Sequence, residues 1–127
     1  APVTAATGAP ADPAAAQRQG EGSRRVLAQL DRDRAVVLLF WNARSSDDRA
    51  VRRAVARVDR RDGDVRVYVE RLGALADYAA VTNGVRVEQT PTTLVIGPER
   101  AVQAIPGYTV TSELDQAVSD ALRGGDR

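Results

Sequence analysis

The residues best placed to do chemistry are Ser45, Ser46, Asp47 and Asp48, which open a helical pattern just after the apolar run Val36-Val37-Leu38-Leu39-Phe40-Trp41. A hydroxyl and a carboxylate three residues apart, Ser45-x-x-Asp48, can do two different things. As a cap, Ser45 accepts from the backbone N–H at Asp48 while Asp48 reaches back, in the manner of a capping box. Asp47 and Asp48 then also favour the positive end of the helix. As a ligand group, the Ser45 hydroxyl hydrogen-bonds a bound thiolate or carboxylate. A metal site built on Asp47 and Asp48 is a third option, but no third carboxylate clearly converges on it.

Composition narrows the chemistry further. The 127 residues include no Cys, His or Met. Structural and catalytic zinc, copper, haem and iron–sulfur sites lose their usual ligands, and Ser-His or Cys-His nucleophile pairs cannot be built. Carboxylate-only Mg²⁺ or Ca²⁺ binding survives as an option, but the reading assigns no metal site and no cofactor. Basic and acidic residues balance at 18 against 17, which gives no strong field for nucleic acid or an anionic membrane. Every basic residue is Arg, a pattern that coding bias in a GC-rich genome explains. The Arg-rich side of the helix from 46 onward reads as a solvated face, with an acidic protein or lipid headgroup as the alternative contact; no nucleic acid is expected. Hydrophobic residues make up 43% and aromatic residues 4%, so Val, Leu, Ile and Ala must build the core. A chain of this length supports one domain of common size. No run of about 18 apolar residues is present to span a bilayer.

The elements that must position these residues follow from periodicity. Residues 1–21 form an Ala/Pro-rich stretch in which Pro2, Pro10 and Pro13 break any helix, and they read as a flexible linker. Such a linker favours an extracytoplasmic, membrane-tethered domain with an anchor upstream of residue 1. Val26, Leu27 and Leu30 mark a first helix over 22–31. Residues 35–41 are continuously apolar, as in a strand covered on both faces. Val51, Val55 and Val58 define a helix over 46–60, and the alternation in 65–69 defines a strand. Strand, helix and strand at this spacing predict a βαβ unit with parallel strands. A shorter helix over 72–81 stops at Asn83-Gly84. A strand over 92–96, a turn at 97–100 and an edge strand over 101–105 follow. A closing helix, capped by Thr111 or Ser112, runs to about residue 122. Residues 124–127 are a tail.

This order, with three local motifs, resembles the thioredoxin-like superfamily over residues 24–123. Phe40-Trp41 ends the first core strand, Thr90-Pro91-Thr92 matches the cis-proline motif, and Gly107 follows the last strand. The resemblance implies an α/β thioredoxin-like fold, a mixed four-stranded sheet flanked by helices, in the domain 22–123. It also places Ser45 and Asp48 where catalytic relatives carry their two cysteines, and Leu39 where they bury an acid. A serine at a helix start is far harder to ionise than a cysteine thiol, and Asp48 cannot resolve a mixed disulfide. The chain is thus similar to a redox-inactive member of that superfamily.

What such a member retains is a groove. In the family the backbone before the proline pairs with an extended substrate peptide, a β-augmentation that needs no sulfur. The resemblance places Trp41, Arg44, Ser45, Ser46, Gln89, Thr90, Pro91, Gly107 and Tyr108 around that groove. The implied function is a non-catalytic module binding a protein or extended peptide, without disulfide exchange. Two alternatives stand beside it. One is a glutathione-handling enzyme using Ser45, similar to serine-using glutathione transferases only at the thioredoxin core. The other is a structural assembly domain of a membrane-anchored protein.

Overall fold

A computed structural model describes residues 20–82 and 84–123. Most of the linker, Asn83 and the tail 124–127 lie outside the described residues. Four strands form one mixed sheet in the order β2-β1-β3-β4: β1 (Ala35–Trp41), β2 (Val65–Arg71), β3 (Thr92–Ile96) and β4 (Val102–Pro106). β1 is parallel to β2 and antiparallel to β3, and β3 is antiparallel to β4.

β1 is the central support. Ala35 through Phe40 are all buried, because each face of the strand meets a different layer. Val37 and Leu39 face α2 (Ser46–Ala56) and α4 (Thr111–Arg123), where Val51, Val55, Leu114 and Val118 complete one core. Val36, Leu38 and Phe40 face α1 (Glu21–Leu30), where Val26, Leu30, Tyr78 and Val81 complete the other. A strand with two apolar faces has no solvated side, hence the unbroken apolar run.

α1, β2 and β4 shift by one or two residues from the periodic pattern, and three further differences each have a local reason. α2 ends at Ala56, not residue 60. Val58 still buries itself, but its N–H bonds back to Val55 in a tightened turn, so the apolar spacing outlasts the helix. Residues 72–78 are a 3-10 helix, followed by one α-turn, α3 (Ala79–Thr82). Leu72, Leu75 and Tyr78 recur every third residue, which is the 3-10 repeat. At α4, Thr111 does not cap: its hydroxyl donates to the Ala54 carbonyl at 2.9 Å and ties α4 to α2.

Tyr78 locks the 3-10 segment under α1. Its ring meets Phe40 edge-on, with centroids 5.7 Å apart. A Cβ on Gly22 would lie 2.6 Å from ring carbons of Tyr78, so only glycine lets α1 approach this closely. The Tyr78 hydroxyl donates to the Glu70 carboxylate and accepts from Arg25 at 3.3 Å.

Burial, and then the hydrogen bond to Glu70, push the Tyr78 phenol up to about 12. The fold thus favours the neutral phenol. Its contribution to stability is intact below the ordinary tyrosine value of about 10 and is lost as pH climbs through the raised one. Urea midpoints measured between pH 9 and 12 should fall more steeply for the native chain than for Tyr78→Phe. A second test concerns Thr93, whose hydroxyl is fully buried with no hydrogen-bond partner among the described residues. Thr93→Val removes that unpaired group while keeping the branched shape suited to a strand. It should raise stability by about 1 kcal/mol, read as a higher urea midpoint at unchanged slope.

Candidate functional site

The parallel pair β1–β2 ends at a shared edge, where Trp41 and Arg71 are register partners. In open α/β sheets the carboxyl ends of parallel strands are the usual ligand side. From here β1 turns through residues 42–45 into α2, and β2 enters the 3-10 segment at Leu72. Between them lies a cleft of about 190 Å³ lined by Trp41, Asn42, Arg71, Leu72 and Thr90.

The turn after β1 is closed by its own polar groups. Asp48 is 1% exposed, and its carboxylate accepts from the Asn42 N–H at 2.6 Å. A buried carboxylate is costly unless hydrogen-bonded, and this bond is charge-assisted at the positive end of a helix. Ser45 caps α2 by accepting from the Asp48 N–H at 3.4 Å. Asp48 does reach back, but past Ser45 to Asn42. The Ser45 N–H instead donates to the Asn42 carbonyl at 3.2 Å, and the Asn42 side chain accepts from the Arg44 N–H at 3.0 Å. Serine and aspartate thus serve the loop: one starts the helix and the other clasps the turn. Beneath them Leu39 is fully buried among apolar side chains.

Arginines gather around the same loop. Arg49 donates to the Ala43 carbonyl at 2.9 Å, and Arg52 lies 4.7 Å over the Trp41 ring. Among the described residues, the Arg71 and Arg44 guanidinium groups make no ion pair or side-chain hydrogen bond.

Of the residues singled out from the sequence, Trp41 and Thr90 line the cleft together. Gln89 lines a neighbouring one of about 360 Å³ with Arg86, Glu88, Thr92 and Pro106. The Thr92 hydroxyl donates to the Gln89 carbonyl at 2.7 Å and braces this turn. The Thr90–Pro91 peptide is cis. Pro91 is buried, and its carbonyl accepts from the Gly107 N–H at 2.7 Å. Gly107 has φ +80°, a conformation that suits glycine. Arg44, Ser45, Ser46, Gly107 and Tyr108 line neither cleft, although Tyr108 is 62% exposed. Among the described residues, no hydrogen bond engages the Thr90 backbone. Clefts of about 300 and 390 Å³ between β4 and α4 carry no basic or aromatic group.

Asn42, Arg71 and Leu72 were not foreseen. The alternation that marks β2 runs on past residue 69, and that alternation places Arg71 on the face of Val67 and Val69, beside Trp41.

The sheet order and the helices on both its faces are those of a thioredoxin-like α/β fold, and the sequence lacks every cysteine that redox chemistry on this fold would use. Chloroplastic thioredoxin z is similar over 83% of this chain and 92% of its own, with a TM-score of 0.52 and 16% identity. At that identity the likeness is one of fold. That structure is described as defining a type-specific target recognition. No family model matches the chain, and no curated protein does.

Removing the Asp48 clasp tests this account of the loop. Asp48→Ala should cost about 2 kcal/mol, and Asp48→Asn, which keeps an acceptor, less. Urea denaturation of both variants measures the difference.

Proposed function

We propose that this chain is a non-catalytic thioredoxin-fold module that binds an extended peptide segment of a partner protein, with no disulfide exchange. The observation that carries the reading is the Thr90 backbone, without a hydrogen bond among the described residues, at the margin of a cleft walled by Trp41 and Leu72. A free N–H and C=O at the rim offer an incoming strand its pairing, and the cleft offers one of its side chains a seat. Absence of cysteine removes both the thiolate nucleophile and the resolving group. The target recognition described for thioredoxin z is consistent with a fold that contacts other proteins. The Ser45 enzyme reading has less support, since that hydroxyl caps α2 and lines neither cleft.

The test is an NMR titration of the isotope-labelled chain with a pool of random heptapeptides. Shifts should appear at the Trp41 indole and the Leu72 and Thr90 amides, and in Trp41→Ala the peptide affinity read from the Leu72 and Thr90 amides should fall several-fold. An insulin-reduction assay on the same material should show no turnover. Insulin turnover, or shifts at Ser45 with millimolar glutathione and none with peptide, would overturn the proposal.

A further inference from the structure

The charges around the cleft bear on which peptide it binds. Resting on the peptide-binding reading, we infer that the cleft selects an acidic segment, seating one glutamate with its methylenes against Trp41 and Leu72 and its carboxylate on Arg71.

The cleft is lined by one arginine, Arg71, and by no acidic residue. The acidic residues of the adjoining segments all lie outside this wall. Asp48 is buried and bonded to the Asn42 N–H. Glu70 belongs to the opposite sheet face, where it accepts from Tyr78. Glu88 pairs with Arg86 at 3.0 Å. Asp47 is exposed in the first turn of α2. Arg71 therefore lacks an internal counter-charge among the described residues, and Arg44, Arg49 and Arg52 add positive potential around the adjoining loop.

Shape and chemistry then narrow the occupant. About 190 Å³ suits a single side chain. A wall in which Trp41 and Leu72 stand beside the polar Asn42 and Thr90, with Arg71 at the end of β2, matches a side chain with a methylene stem and an anionic tip, since apolar stems pack while charged ends stay solvated or paired. Guanidinium meets carboxylate in a planar, two-pronged bond that an amide or hydroxyl cannot equal. Nucleic acid fits less well. Trp41 is the only aromatic ring in the wall, and Arg52 covers one of its faces, whereas single-strand binders present open ring faces to successive bases.

The experiment uses the full chain against a displayed library of random heptapeptides. Recovered sequences should be enriched in Glu at one position. The best of them, measured by fluorescence anisotropy, should lose at least tenfold in affinity when that Glu becomes Gln. Arg71→Ala should cause a similar loss, Arg71→Lys a smaller one, and Arg66→Ala, the same charge change at the far end of β2, almost none. Affinity should also fall between 50 and 500 mM salt, as screening requires. Peptides that bind with no acidic preference and no response to Arg71→Ala would overturn the acidic assignment while leaving the peptide-binding function standing. A library from which nothing binds would overturn both. Stronger binding of a single-stranded oligonucleotide than of any peptide would also overturn the assignment.

Discussion

The hydrogen bond from the Asn42 N–H to the buried Asp48 carboxylate joins the end of the central strand to the start of α2. That joint is where a catalytic protein of this fold exposes sulfur. Here it is shut by a charge-assisted bond, a serine cap and an asparagine side chain that folds onto the Arg44 N–H. Because the turn is closed, Trp41 is held at the strand end with Arg52 over one face, and the opening lies beside the turn. Asn42, which the Asp48 clasp holds, is itself part of the cleft wall.

The rest of the architecture serves to hold that strand end in place. β1 is covered on both faces, with α2 and α4 on one side and α1 with the 3-10 segment on the other. Few aromatics are available, and two of them, Phe40 and Tyr78, meet edge-on in the second core. Gly22 allows α1 to lie against Tyr78, and the Tyr78 hydroxyl connects α1, β2 and the 3-10 segment through Arg25 and Glu70. β2 is in turn fixed where it ends at Arg71 and passes into Leu72 at the site.

Legibility in the sequence followed the range of the interaction. The apolar run of β1, the Val51-Val55 repeat of α2 and the alternation of β2 are local patterns, and each marks its element. The parallel pairing of β1 with β2 follows from the βαβ spacing, whereas the place of β3 beside β1 is implied only by the thioredoxin-like resemblance. The end of α2 was misread because Val58 keeps the apolar period after the helical hydrogen bonds have stopped. The segment 72–78 was misread because a three-residue repeat of Leu72, Leu75 and Tyr78 resembles a short α-helix until its bonding is seen. In the site, Trp41 and Thr90 stood out through recognisable motifs. Arg71 did not, since its place beside Trp41 depends on the β1–β2 register, and no local signal distinguishes it from the other arginines.

The central claim is that this scaffold retains the pairing surface of its fold after giving up electron transfer. Intermolecular NOEs between a bound heptapeptide and the isotope-labelled chain test it most directly. The account predicts cross-strand contacts from the peptide backbone to Thr90, with one peptide side chain against Trp41 and Leu72. Contacts running along β4 or α4, with Thr90 and Trp41 silent, would contradict it.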